Sequence, residues 1–284
     1  MIPSEFQYFS PITVDEAVGL LQQHGDEAKL IAGGHSLLPA MKLRLSQPSV
    51  LVDISKIKDL KAIVVDGRVT IGAGATYRDI ASSAAVQAAC GVLTECVALI
   101  GDIQVRNRGT IGGSLAHGDP ASDLPAVLLA AEGSVTVQGS GGEREIAAAE
   151  LFQDYMTTAI APGEVMTSVS LPSGEGWGFG YQKFNRRVED WAMVGVCALV
   201  RKAADGSCED VRVGLTNMGS TPLRATATED ALRGGGLDAD AIARAAEQAA
   251  DGTDPPPDLN ASSDYKRNLA RVLTGRALQE AAAA

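Results

Sequence analysis

An Asp66-Gly67 dipeptide separates two short runs rich in β-branched residues, 63–65 and 68–71. Asp-Gly is favoured in tight hairpin loops because the turn needs positive φ angles, and apolar runs on either side supply the strands. The dipeptide therefore fixes a sheet early in the second part of the chain. The Gly72-Ala73-Gly74 run that follows lacks the third glycine of the dinucleotide fingerprint and comes after a hairpin strand, so a Rossmann fold is disfavoured.

The segment before the hairpin predicts a small α/β unit over residues 1–57. Thr13 can cap a helix over residues 15–23, and apolar strands are expected at 29–32 and 50–54. The Gly33-Gly34 pair breaks the first of these strands. This unit forms one half of an expected two-part N-terminal domain.

The second half, residues 58–176, is predicted to be a mixed-sheet unit. Two helices interrupted at Gly91 are expected over 77–100, a polar loop after them, a helix over 123–131 and strands at 135–138 and 165–171. The glycine-rich stretch 173–180 is the expected boundary. Beyond it, residues 177–284 predict an antiparallel sheet with helices on one face, because strands at 192–200 and 211–217 precede helices at 228–233, 239–250 and 265–281. The fold class is α+β.

Charge and composition limit the function classes. The net charge of −11 opposes non-specific binding to nucleic acid or to an anionic membrane. The four cysteines, without CxxC spacing, and the three scattered histidines predict no metal site, and the cysteines are interpreted as buried small hydrophobes. No apolar run is long enough for a membrane helix and the first residues lack signal-peptide features, so a cytoplasmic location is expected.

Two loops share a glycine pair with a hydroxyl close behind. They are Ala32-Gly33-Gly34-His35-Ser36 and Thr110-Ile111-Gly112-Gly113-Ser114. Glycines allow close approach and positive φ, so successive amides can converge on an anion as a nest, and two such loops could bind two linked phosphates. For either loop alone, the alternative remains that the glycine pair forms a turn and binds no ligand. Neither loop is a Walker motif, because no Gly-Lys-Ser/Thr follows.

These two loops, with Asp119-Pro120-Ala121-Ser122-Asp123-Leu124-Pro125, resemble the FAD-binding medium subunits of molybdenum hydroxylases. The likeness covers essentially the whole chain and is greatest to aerobic carbon monoxide dehydrogenase; the flavin domain of xanthine dehydrogenase belongs to the same group. A Tyr181-Gln182-Lys183 stretch and the later Trp191 match the family's C-terminal segment.

The resemblance implies FAD with both glycine loops around its pyrophosphate. Non-covalent binding is expected because no histidine or cysteine lies in an obvious flavin-linking motif. The resemblance further implies Asp123 at the ribityl or ribose hydroxyls, Lys183 at the electron-accepting end of the flavin and Trp191 against the ring. The implied cofactor-binding residues are Ala32, Gly33, Gly34, His35, Ser36, Leu37, Ile100, Thr110, Ile111, Gly112, Gly113, Ser114, Asp123, Met166, Lys183 and Trp191. No catalytic or metal-ligating residue is expected in this chain. A valine at Gly33 or Gly112 should expel FAD and leave the fold intact.

Simpler interpretations stay open for three of these residues. Asp123 can be a helix N-cap. Lys183 can belong to a solvated surface cluster with its charged neighbours. Trp191 can pack in the core at the start of a strand. His35 is interpreted as positioning the cofactor rather than as an acid or base.

The resemblance also implies a complex. A large subunit would carry the molybdenum cofactor and a small subunit [2Fe-2S] clusters, in a dimer of heterotrimers. The chain would pass electrons from those clusters to quinone or NAD, and peripheral attachment to the inner membrane through the complex stays open. The alternatives are the flavin subunit of an N-heterocycle or xanthine-type dehydrogenase, a stand-alone flavin oxidoreductase, and a non-enzymatic scaffold, which would be colourless.

Overall fold

The computed structural model describes residues 2–284, and its N-terminal unit is built on a three-stranded parallel sheet in the order β1-β3-β2. The elements of this unit are β1 Gln7–Phe9, α1 Val14–His24, β2 Ala28–Ile31, α2 Leu37–Lys42 and β3 Val50–Asp53. Thr13 caps α1 as predicted, with its Oγ1 accepting the Glu16 amide at 3.2 Å. Because the strands are parallel, β2 and β3 end at the same edge, where Ile31 pairs with Asp53. The first glycine loop starts at that edge.

The middle unit contains a five-stranded sheet in the order β4-β5-β10-β6-β7. Its strands are β4 Ile63–Val65, β5 Arg68–Gly72, β6 Ser134–Gly139, β7 Gly142–Ala147, the small pair β8 Phe152–Asp154 and β9 Thr157–Thr158, and β10 Val165–Pro172. The Asp66-Gly67 hairpin is confirmed: Val65 pairs with Val69, and Gly67 has a φ of 67°. All four pairings of the five-stranded sheet are antiparallel, so the mixed sheet expected here is an antiparallel one.

The middle unit also contains seven α-helices within the described residues. They are α3 Tyr77–Ala81, α4 Ala84–Ala89, α5 Gly91–Ala98, α6 Ile103–Arg106, α7 Ile111–His117, α8 Asp123–Ala130 and α9 Ala148–Leu151. Residues 77–100 therefore form three helices and not two. The additional break lies at Ser82 and Ser83, where the Ser83 hydroxyl accepts the Val86 amide at 3.3 Å and starts a new helix.

The C-terminal unit is a four-stranded antiparallel sheet with helices on one face, as predicted. Its elements are β11 Trp177–Phe184, β12 Val194–Lys202, β13 Cys208–Thr216, β14 Leu223–Arg224, α10 Thr226–Leu232, α11 Ala239–Ala246 and α12 Ser263–Ala283. Alternate residues of β12 enter two cores: Val194 and Val196 pack with α12, whereas Cys197 and Leu199 pack with the middle unit. The sheet is therefore covered on both faces.

The sequence does not predict strand β11, because its glycines indicate a boundary between units. A Cβ on Gly178 would lie 2.0 Å from the Ala281 carbonyl oxygen, and one on Gly180 would lie 2.4 Å from that of Ala277. These glycines allow α12 to lie directly on the strand, so they mark close packing and not a linker.

The cysteines are buried and unpaired, in agreement with their interpretation as small hydrophobes. Burial raises the pKa of the Cys90 thiol to about 11 and that of Cys96 well above its usual range. Such thiols are not reactive nucleophiles at neutral pH.

Candidate functional site

The first glycine loop joins β2 to α2 and presents a row of unengaged amides. Among residues 2–284, no group accepts a hydrogen bond from the backbone N–H of Gly33, Gly34, His35 or Ser36. Gly34 has a φ of 79°, a conformation that favours glycine. Backbone amides without a protein partner, next to a helix start, are suited to an anion such as a phosphate.

The second glycine segment is not the loop expected from the sequence but the first turn of α7. Thr110 is its N-cap, with Oγ1 accepting the Gly113 amide at 3.1 Å. The amides of Ile111 and Gly112 donate to the carbonyls of Ala75 and Ala73, at 3.1 and 2.9 Å. A nest of free amides like that of the first loop is therefore absent from residues 110–113. Gly113 is exposed, and the Ser114 hydroxyl lies 2.6 Å from that of Ser122.

The first loop lies against the segment that leads into α7. A Cβ on Gly33 would lie 2.2 Å from the Arg108 carbonyl oxygen and 3.0 Å from the Cα of Gly109. A Cβ on Gly112 would lie 2.4 Å from the Cβ of Ala73. The expectation that valine at Gly33 or Gly112 leaves the fold intact is therefore wrong, because the space that a side chain needs is filled by protein.

Asp123 and Lys183 form a buried ion pair between the middle and C-terminal units. Oδ2 of Asp123 is 2.8 Å from Nζ of Lys183, and both side chains are 3% exposed. Oδ1 accepts a hydrogen bond from the Tyr181 hydroxyl at 2.7 Å. Burial raises the pKa of the Asp123 carboxyl, and the Lys183 ammonium and the Tyr181 hydroxyl oppose that shift. The solvated-cluster interpretation of Lys183 is therefore wrong.

The N-cap interpretation of Asp123 is also wrong. The N-cap of α8 is Ser122, and Asp123 is the first helical residue, with its carboxylate directed to Tyr181 and Lys183. Sequence reasoning gave Tyr181 no role. Tyr181 and Lys183 lie two residues apart on β11 and hence on one face, a signal that would have paired them had this stretch been interpreted as a strand.

Lys183 has a hydrogen-bond donor to spare. Its Nζ donates to Asp123 and to the Leu99 carbonyl oxygen at 3.2 Å. An ammonium has three protons, and within residues 2–284 the third has no acceptor. A buried cation with one uncommitted proton is suited to an electron-rich group of a ligand.

The other predicted site residues lie in different surroundings. Ile100 is half-buried, and its carbonyl oxygen accepts from Arg106 Nη1 at 3.1 Å, which holds the segment after Leu99 in place. Met166 is buried in the core of the middle unit on β10. Trp191 is 53% exposed, so its core-packing interpretation is wrong. Ala32 and Leu37 flank the first loop and are half-buried.

No helix within residues 2–284 is both long and apolar enough to cross a membrane. The same residues bring together no cluster of three or more histidine, cysteine or acidic side chains that could hold a metal ion.

Two protein-family models cover almost the whole chain. The model described as the FAD binding domain in molybdopterin dehydrogenase matches residues 4–174, and the carbon monoxide dehydrogenase flavoprotein C-terminal domain matches residues 179–281.

Individual relatives are similar in sequence to this chain over almost its full length. The carbon monoxide dehydrogenase medium chain of Hydrogenophaga pseudoflava is 42% identical over 99% of this chain and 98% of the relative. The 6-hydroxypseudooxynicotine dehydrogenase complex subunit alpha of Paenarthrobacter nicotinovorans is 38% identical over 99% and 96%. A solved carbon monoxide dehydrogenase of H. pseudoflava, lacking the Mo-pyranopterin moiety of its molybdenum cofactor, superimposes with a TM-score of 0.97 at 43% identity over 100% and 99%. The resemblance drawn from the glycine loops is thus confirmed, and the chain belongs to the family of FAD-binding medium subunits of molybdenum-dependent dehydrogenases.

Proposed function

We propose that this chain carries FAD in an aerobic carbon monoxide dehydrogenase, taking electrons from iron–sulfur clusters and passing them to an external acceptor. The observation that carries the proposal is the row of four unengaged amides from Gly33 to Ser36 beside the start of α2. Full-length identity of 42% to a carbon monoxide dehydrogenase medium chain supports the choice of complex. The second candidate is an N-heterocycle dehydrogenase, favoured by the 38% identical relative named for 6-hydroxypseudooxynicotine.

The first loop would bind the FAD pyrophosphate through its amides. Four N–H donors without a protein acceptor can attract two negative phosphates even in a chain whose net charge is −11, because the attraction is local. His35 is exposed there and would position the cofactor. Thr110, Ile111 and Gly112 would shape the neighbouring wall, and the exposed Gly113 with the Ser114 hydroxyl would make the contacts of the second segment.

At the other end of the site, Lys183 would direct its third proton to the flavin ring. A fixed cation stabilises negative charge that builds on the ring, at no reorganisation cost. The bound flavin supplies the redox chemistry. Asp123 holds the Lys183 ammonium and would also accept from hydroxyls of the cofactor. Ile100, Met166 and Trp191 complete the proposed lining, and Trp191 is exposed enough to cover a ring face.

The proposed complex has a large molybdenum-binding subunit and a small [2Fe-2S] subunit, arranged as a dimer of heterotrimers, with quinone or NAD as acceptor. We place it in the cytoplasm, with peripheral attachment to the inner membrane through the complex left to experiment. Within the chain, the proposed units are 1–57, 58–176 and 177–284, the last closing over the flavin.

The purified chain is expected to be yellow, with one non-covalent FAD per polypeptide. No histidine or cysteine lies in an obvious flavin-linking sequence motif, and the four cysteines are buried. Acid precipitation should leave the flavin in the supernatant, where its absorbance is measured against the protein. A yellow pellet would contradict non-covalent binding, and a colourless protein that takes up no added FAD would favour a scaffold.

The isolated chain is expected to oxidise neither carbon monoxide nor purines with a dye acceptor. It would carry the flavin alone, and the substrate would be oxidised on another subunit. The matched control is the same chain co-expressed and purified with its partner subunits, assayed with carbon monoxide and with a hydroxylated pyridine. Turnover by the isolated chain would contradict the multi-subunit proposal, and the substrate used by the complex decides between the two candidates.

A further inference from the structure

A chain of polar contacts leads from the Lys183 ammonium to a hydroxyl that no proposed cofactor contact uses. Lys183 is held by Oδ2 of Asp123, and Oδ1 of the same carboxylate is held by Tyr181. Tyr181 is 4% exposed, and its hydroxyl donates to Oδ1 of Asp123. Every member of this chain is buried.

The hydroxyl of Tyr181 fixes the orientation of the Asp123 carboxylate that Lys183 contacts. A carboxylate on a helix can rotate about its last torsion, which is broad and roughly two-fold. The Tyr181 hydroxyl lies 2.7 Å from Oδ1 of Asp123, and the hydrogen bond that it donates restricts this rotation. Oδ2 is then fixed, and with the Leu99 carbonyl it sets the direction of the remaining Lys183 proton.

We propose that Tyr181 is a positioning residue for the flavin, acting through Asp123 to aim the third proton of the Lys183 ammonium at the cofactor. This rests on the proposed function, in which Lys183 faces the flavin ring. The Tyr181 hydroxyl is committed to Asp123 and would make no contact of its own with the cofactor. Its contribution is orientation, since a charge-assisted hydrogen bond in a buried site is both strong and directional.

Tyr181→Phe removes the hydroxyl and almost no volume, so it tests the proposal on the full chain. We expect FAD to remain bound with a roughly threefold to tenfold higher dissociation constant, the equivalent of about one hydrogen bond. The flavin midpoint potential should become more negative, because the cation that stabilises the reduced ring is less well aimed. Tyr265→Phe is the matched control, since Tyr265 is 44% exposed and lies outside this network.

Introducing Tyr181→Phe into a second variant distinguishes an effect that acts through Asp123 and Lys183 from a general packing effect. In Asp123→Leu/Lys183→Met, which removes both charges of the pair, Tyr181→Phe should change neither FAD affinity nor potential. An equal effect of Tyr181→Phe in both backgrounds would overturn the proposal, and so would an unchanged potential in the parent background.

A third probe applies if Tyr181→Phe does not fold. Site-specific 3-fluorotyrosine at position 181 makes the phenol a stronger donor at nearly constant size, and the midpoint potential should then shift in the positive direction. An unchanged potential overturns the proposal. Failure of the parent chain to bind FAD at all would instead overturn the proposed function, so the two failures are distinguishable.

Discussion

Lys183→Met will lower the free energy of unfolding by about 3–5 kcal/mol, the usual cost of removing one partner of a buried ion pair. The variant leaves Asp123, whose side chain is 3% exposed, without its counter-charge. The pKa of that carboxyl is already raised by burial, and removing the cation raises it further. Denaturant titrations of apoprotein measure the loss, and flavin absorbance measures the weakened FAD binding expected with it.

The pH dependence of this loss has a definite sign. A carboxyl whose pKa is raised in the folded state stabilises the fold below its unfolded value, here about 3.8, and that contribution disappears as the pH rises. The defect of Lys183→Met should therefore grow as the pH rises above the ordinary range of a carboxyl, because the raised pKa of Asp123 is raised further when the cation is removed. A defect that shrinks with rising pH would show that Asp123 is not the unpaired group.

Lys266→Met is the matched control, because Lys266 is also buried, at 1% exposed, in the C-terminal unit. Its Nζ lies 2.7 Å from Asp258, whose side chain is 39% exposed and can be rehydrated when the lysine is removed. Lys266→Met should cost less stability than Lys183→Met and leave the flavin potential unchanged. If both variants changed the flavin potential equally, the proposed contact of Lys183 with the flavin would be contradicted.

Gly33→Val and Gly113→Val are expected to fail in different ways. Gly33→Val forces side-chain atoms onto the Arg108 carbonyl, 2.2 Å from the Cβ position, so it should destabilise the fold by about 3 kcal/mol or more and lose FAD as a consequence. At Gly113 the close neighbour is the Thr110 hydroxyl at 2.8 Å. Gly113→Val should keep the fold but weaken FAD binding at least about tenfold, or about 1.4 kcal/mol, because the added side chain would occupy exposed space that the proposal gives to the cofactor.

Circular dichroism and thermal unfolding report the fold, and titration with FAD reports the site. Gly235→Val is the control for adding a side chain at a glycine, since its close neighbour is the Leu232 carbonyl at 3.2 Å and no ligand role is proposed for it. Parent-like FAD binding by a folded Gly113→Val variant would exclude the second segment from the site.

The sequence predicted those structural features that depend only on interactions between neighbouring residues. The Asp66-Gly67 hairpin and the Thr13 cap depend on a few neighbouring residues, and both are confirmed. The sequence did not distinguish the different structural roles of the glycines. Gly34 adopts a positive φ angle. Gly178 allows a helix to pack closely on its strand, and Gly112 allows α7 to approach Ala73. These uses depend on parts of the chain far away in sequence, so composition alone could not distinguish them.

The same limit applies to the site. The motifs indicated the two glycine segments, Asp123 and Lys183. The structure places Gly33 against Arg108 and Gly109, directly before the second segment, and pairs Asp123 with Lys183. The contact between Tyr181 and Asp123 spans 58 positions along the chain and requires β11 to lie against α8. The engaged amides of Ile111 and Gly112 likewise depend on the turn after β5. Non-local hydrogen bonds decide which groups stay available for a ligand.

The two-sided sheet of the C-terminal unit has a consequence for motion. Cys197 and Leu199 of β12 lie in the core of the middle unit, so the two units share interior side chains and not merely a polar surface. Domains joined this way do not hinge freely, because opening would expose apolar surface to water. Asp123 and Lys183, one from each unit, are therefore held at a set separation before any ligand arrives. On such a frame the C-terminal unit would already cover the flavin position before the cofactor binds, so no conformational cost of domain movement would arise. The environment of the flavin would then stay the same through each cycle of reduction and reoxidation.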